Sequence, residues 1–174
     1  MVRCPRRGKS SRDTSRTRSI ARIRRLTADA QIPALLAYAR HGRPYLREGR
    51  GYLYLNQTRS LDSPERVIWK VGETKNLGRR RKQYDACDVI TQHRWFLAFH
   101  VQKRLLAERI IQLSFLSQSA GGERVRFDRR CPCGHRHREY VYFPNGKSVD
   151  DVVAIIFDAL ALLGETNFTI KRLD

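Results

Sequence analysis

The alternation of apolar and polar positions divides the chain into a polar opening and a patterned remainder. From Ile32 to Arg40 (I-P-A-L-L-A-Y-A-R) the apolar spacing suits a short helix, with Pro33 in its first turn and Gly42 and Pro44 ending it. Tyr52 to Leu55 (Y-L-Y-L) and Val67 to Val71 (V-I-W-K-V) are aromatic and apolar and flank a polar loop containing Pro64, which predicts two paired antiparallel strands. Gly72 closes the second strand, and Thr74 or Asn76 can cap a helix from about Leu77 to Ala86. Arg94 to Val101 (R-W-F-L-A-F-H-V) carries bulky side chains on both faces, as a central or doubly covered strand does. A long helix is expected from Lys103 to about Ser117, where Leu106, Ala107, Ile110, Ile111 and Leu113 recur at helical spacing. Ser148 to Leu163 reads as a capped, apolar helix that packs on the sheet.

The expected fold class is therefore mixed α/β. With 174 residues, one buried core and one domain are expected, over residues 27–165, with residues 166–174 as a tail. Residues 1–26 are Arg, Ser and Thr with almost no acid and cannot bury enough apolar surface to fold alone, so they read as a disordered basic arm. That arm suits nuclear localisation or phosphate clamping, and its Arg-rich, acid-poor composition also suits a mitochondrial transit peptide; a solvated tail is the plain alternative.

Charge narrows the function classes. Thirty-five Lys and Arg against 17 Asp and Glu leave a formal net charge of +18, which calls for a polyanion as the usual neighbour. DNA is the expected partner, with RNA as the alternative; a basic interaction protein meeting an acidic partner or lipid is the competing class. No apolar run approaches the roughly 20 residues of a bilayer span, so no membrane insertion is expected. Four cysteines are too few for a secreted disulfide framework and point to a reducing, intracellular compartment, with the nucleus favoured. There, clustered cysteines more often hold metal. Cys131, Cys133, His135 and His137 (C-P-C-G-H-R-H) form such a cluster, with two free thiols in a surface loop as the alternative.

One carboxylate stands out. Glu108 lies at the margin of an apolar helix face, with Leu105 and Ile111 one turn away, an odd place for an acid without a task or a partner. A structural ion pair with Arg104 or Arg80 would also account for it.

The order strand, strand, helix, strand, helix, with G-Y-L-Y-L on the first strand and W-K-V-G-E-T-K-N-L-G-R-R-R on the second, resembles the GIY-YIG nuclease superfamily. The nearer likeness is to its bacteriophage open-reading-frame-172 DNA-binding branch, including fungal members that end in a C-x-C-G-x-x-H-R-E-aromatic stretch. The likeness spans about Gly51 to Phe143. It implies a three-stranded antiparallel sheet flanked by helices, with a zinc-pinned loop. It also implies a magnesium-dependent endonuclease site in which Tyr54 helps activate water, Arg80 steadies the scissile phosphate and Glu108 holds the magnesium ion. Cleaving a phosphodiester needs a proton acceptor, a charge clamp and a hard cation on oxygen, and these residue types supply them.

Lys70 stands where the nucleases carry their second tyrosine, a departure that spares phosphate binding more readily than turnover. With Lys75, Arg79, Arg81 and Lys82 it forms the expected nucleic-acid-binding set. The family pattern adds Cys87 to the metal cluster, giving Cys87, Cys131, Cys133 and His137 as a structural zinc site with His135 in reserve. Glu139 and Tyr140 are expected to pack against the sheet. Taken singly, Tyr54 also reads as a core aromatic and Arg80 as one charge on a solvated face. If the site does not turn over, the chain is a non-catalytic, zinc-stabilised DNA- or RNA-binding module.

Overall fold

A computed structural model of the protein describes residues 21–41, 49–60, 65–85, 90–125 and 139–173. In chain order its elements are α1 (Ala28–Arg40), β1 (Gly51–Ser60), β2 (Val67–Thr74), α2 (Leu77–Asp85), β3 (Ile90–Val101), α3 (Arg104–Phe115), β4 (Glu123–Arg124), β5 (Tyr140–Tyr142), α4 (Val149–Leu162) and β6 (Thr169–Arg172). Among the described residues the strands form one six-stranded sheet in the order β4-β5-β2-β1-β3-β6, and every neighbouring pair is antiparallel.

The expectation of three strands is thus corrected to six. The three predicted strands lie together as β2-β1-β3, and shorter strands extend the sheet at both edges. Two or three residues are too few for a periodic signal, which is why β4 and β5 are not visible in the sequence. The segment read as a tail contains β6, which pairs with Leu97 to His100. Within the stretch read as a basic arm, Ala21 to Ile23 are helical, and Ile23 packs on the main core. Helix α1 begins at Ala28, before the predicted Ile32, and takes Pro33 inside it.

Alternation along β1 and β2 sorts side chains to opposite faces. On one face Leu53, Leu55, Trp69 and Val71 join Phe99 and Val101 in the main core, closed by Leu106, Ile110 and Ile111 of α3 and Val152, Ile156 and Leu160 of α4. Helix α4 is held at its start by a capping box: the Ser148 hydroxyl accepts from Asp151 N–H at 3.1 Å, and Asp151 Oδ2 accepts from Ser148 N–H at 2.9 Å. On the other face Tyr54, Ile68, Trp95 and Tyr140 form a second, smaller cluster with Tyr84 of α2. A register shift between β1 and β3 at Leu55 and Asn56 lets Trp95 join this cluster while Phe96 and Phe99 stay in the main core. Among the described residues no helix is long and apolar enough to cross a membrane.

Candidate nucleic-acid interface

The β1–β2 pairing sets Tyr54 opposite Gly72, and the β2–β5 pairing sets Lys70 opposite Tyr140. Gly72 has to be glycine here, because a Cβ at that position would overlap the hydroxyl end of the Tyr54 ring. The Tyr54 side chain is thereby laid flat on the sheet, only 1% exposed, and its hydroxyl shares a 3.0 Å hydrogen bond with that of Tyr84.

Just past β2 the chain turns sharply into α2. Thr74 Oγ1 accepts from Asn76 N–H at 3.1 Å, and Asn76 Oδ1 accepts from Arg79 N–H at 2.9 Å, so both capping candidates act. The tight turn carries Arg80 back over the strand it left: its Nη2 donates to the Glu73 carbonyl at 3.3 Å and its Nη1 to Gln83 Oε1 at 3.2 Å. The Arg80 Nε is buried and has no hydrogen-bond partner among the described residues.

Helix α3 supplies the carboxylate. Glu108 Oε1 accepts from the Glu73 backbone N–H at 3.0 Å. It does not pair with Arg104, whose Nε donates to Glu73 Oε2 at 2.7 Å in a largely buried ion pair. Tyr54, Arg80 and Glu108, from three separate elements, therefore all meet the two-residue stretch Gly72–Glu73 at the end of β2.

Burial governs the ionisation of this group. Glu108 is pushed up to about 7, first by desolvation and then by the charges of Glu139 and Glu73, with Lys70 and the Glu73 N–H pulling the other way. Tyr54 is raised far above the ordinary phenol by burial and by Tyr84, although the Arg80 charge opposes the shift. Burial holds the Lys70 amine below its ordinary value against the raising influence of Glu139 and Glu108. Lys70 Nζ lies 3.8 Å from Glu139 Oε2 and sits over the rings of Tyr140 and Tyr84, 5.1 and 5.9 Å from their centres.

Glu108 and Glu139 also line an open cleft of about 600 Å³, together with Arg109, the next residue of α3, and Arg24 and Arg124 from elsewhere in the chain. Gln112 lines the same cleft with a buried amide nitrogen that has no partner among the described residues. Outside this cleft, Lys75, Arg79, Arg81 and Lys82 are exposed on and beside α2, and the Arg81 guanidinium stands 5.9 Å from the centre of the Trp95 ring.

The residues named from the sequence thus fall in two sets. Tyr54, Lys70, Arg80 and Glu108 are brought together, and Lys75, Arg79, Arg81 and Lys82 border them. Cys87, Cys131, Cys133, His135 and His137 lie outside the described residues. Among the described residues no group of three or more His, Cys, Asp or Glu is arranged to hold a metal.

Tyr140 packs on the sheet as expected, whereas the parts of Tyr84, Glu139 and Glu73 in the site were not foreseen. Tyr84 closes the aromatic cluster, Glu139 partners Lys70, and Glu73 ties Arg104, Arg80 and Glu108 to one residue. The one available hint was spacing: Tyr84 follows Arg80 by four residues, one helical turn.

Compared with protein-family models, curated proteins and solved structures, the chain finds no match.

Proposed function

We propose that this protein is a DNA-binding domain of the GIY-YIG type that meets its partner chiefly through phosphate contacts. The observation that carries the reading is the meeting of a phenol, a guanidinium and a carboxylate at Gly72–Glu73, beside a helix bearing exposed cations. The composition supports it independently: +18 on 174 residues favours a polyanion, and cations spread along α2 give affinity with little sequence preference.

The donor set at Glu108 fits magnesium. This hard ion prefers one or two carboxylates and completes its shell with water, and Glu108 opens onto a cleft with a second carboxylate, Glu139, beside it. Bound there, the ion would supply positive charge against the scissile phosphate. Arg80 would clamp a phosphate oxygen, since its guanidinium is already held in place by the Glu73 carbonyl and Gln83.

A specific observation favours the second reading, binding without turnover. The Tyr54 hydroxyl is buried and committed to Tyr84, and burial makes its proton hard to remove, the opposite of what a general base needs. Lys70 stands where the family places its other tyrosine.

Nicking of supercoiled plasmid in magnesium decides between the two readings. A nuclease loses nicking in Glu108→Ala while its gel-shift affinity stays close to the parent's; a parent protein that never nicks is a binding module. Salt titration of the gel shift, on DNA and RNA duplexes, tests the shared premise. Affinity must fall log-linearly with salt, and a flat response would leave an acidic protein or lipid as the partner.

A further inference from the structure

We propose that the end of the sheet face beside Tyr54 binds an unpaired nucleotide of a nucleic-acid strand, with its base stacked on Tyr52 and His100. The proposal rests on the nucleic-acid-binding reading and on none of the magnesium chemistry.

Alternation through the start of β1 puts Arg50, Tyr52 and Tyr54 on one face of the sheet. The strand register then sets Thr74, Tyr52, His100 and Thr169 side by side across β2, β1, β3 and β6. Helix α2 covers the middle of this face through Tyr84, which packs on Tyr54 and Trp95, whereas Tyr52 and His100 belong to neither buried cluster. Their rings touch, with centres 5.0 Å apart and planes tilted by 55°. Both stay half-buried, because the flanking threonines are too short to cover them. A cross-strand ring pair steadies a sheet wherever it stands. Here it also leaves aromatic surface open to a ligand.

The border of this surface is cationic. Lys171 stands one row inward, opposite Ala98, and Lys75 directly follows Thr74. Arg50 stands one row outward, where its Nε donates to Gln102 Oε1 at 2.6 Å. All three cations are exposed, and none of the paired strand positions in the rows of Tyr52 and Tyr54 is Asp or Glu. Rings edged by cations and free of acid suit a polynucleotide, whose phosphates meet the charges while a base covers the rings. An acidic protein would use the charges and leave the rings without a task. The base has to be unpaired, because inside a duplex both of its faces are already stacked on neighbours. Tyr52 and Tyr54 are two residues apart on one strand, about 7 Å, so this platform adjoins the group at Gly72–Glu73. The favoured substrate is therefore a duplex with a single-stranded extension, ahead of a blunt duplex.

The test is a gel shift of the full chain in EDTA on three DNAs that share one duplex. The first is blunt, the second carries an unpaired tail of about six nucleotides, and the third carries the same tail built from tetrahydrofuran spacers without bases. The two tails have equal phosphate charge, so the ratio of their affinities isolates the bases. The parent should bind the base-bearing tail at least ~5-fold more tightly than the baseless one. Tyr52→Val keeps a good strand former and should abolish that ratio, whereas Tyr52→Phe keeps the ring and should preserve it. Lys171→Gln should weaken both tails alike and lower the salt-dependence slope by about one. Thermal melting checks that the variants fold. In the parent itself, 5-iodouracil in the tail should photocrosslink to Tyr52 or His100, mapped by peptide mass spectrometry. Equal affinity for the two tails, a ratio undiminished in Tyr52→Val, or crosslinks confined to other residues overturns the proposal. Equal shifts of all three DNAs remove the platform and leave the DNA-binding reading standing. A Tyr52-dependent shift of the tailed DNA with none of the blunt duplex keeps the platform and removes duplex binding, and no shift of any DNA removes both.

Discussion

The two faces of the central strands are built from the same few residues and do opposite things. Leu53, Leu55, Trp69 and Val71 point one way into an apolar core, while their chain neighbours Tyr54 and Lys70 point the other way against a cluster of aromatic rings. The first face gains by removing hydrocarbon from water. The second holds a buried amine and a guanidinium nitrogen that has no hydrogen-bond partner among the described residues, both at a cost in stability. A fold that tolerates such a face does so because the other one is well packed, and sites with strained polar groups are where function concentrates.

The sharpest way to break this contrast is to weaken each face in turn. Ile110→Ala empties a fully buried position in the main core and should cost about 2–5 kcal/mol in urea unfolding, with duplex affinity of the folded fraction unchanged. Arg104→Ala should cost a similar ~3–5 kcal/mol, because it strands Glu73 without its partner, and it should also disturb Glu108 through the shared residue. If Arg104→Ala leaves DNA binding untouched, Glu73 is not the link between the faces.

Glu108 sharpens the comparison through pH. Its folded pKa of about 7 lies above the ordinary 4.5, so between those values the native state binds more protons than the unfolded chain. Stability is therefore highest below about pH 4.5 as far as this group is concerned, and is lost as pH rises from there through 7, by an amount on the order of 3 kcal/mol. Glu108→Gln should remove that slope. Magnesium should raise the melting temperature of the parent above pH 7 and leave Glu108→Gln unmoved; equal responses would exclude Glu108 as its ligand.

Gly72→Ala comes next, at about 1–3 kcal/mol, because the added methyl must displace the Tyr54 ring. Loss of the Tyr54–Tyr84 hydroxyl contact, followed by tyrosine fluorescence, should accompany it. The smallest effect on folding belongs to the solvent side of α2: Arg79→Ala, Arg81→Ala and Lys82→Ala should each change stability by less than about 0.5 kcal/mol. Each that touches a phosphate should lower the salt-dependence slope by about one. Three substitutions without change in slope would move the interface off this helix.

Much of this architecture could be read from the chain. Long periodic stretches announced α3 and α4, and the aromatic and apolar runs announced β1, β2 and β3. The odd position of Glu108 on an apolar helix face was also visible, because a charge among hydrophobic residues at helical spacing has to find a use or a partner. The short edge strands β4, β5 and β6 were not visible, since two to four residues, several of them charged, form a strand only when a neighbouring strand offers hydrogen bonds.

What the chain alone determined is local and additive: where helices and strands run, which face of each is apolar, and how much positive charge the surface must carry. What only the tertiary structure decided is which distant groups share one environment. Glu139 reaching Lys70, Arg104 choosing Glu73 over Glu108, and Tyr84 closing over Tyr54 each join residues at least 30 positions apart. Desolvation and Coulomb forces depend on distance in space, not along the chain, so no reading of spacing yields these pairings or the shifted proton affinities that follow from them.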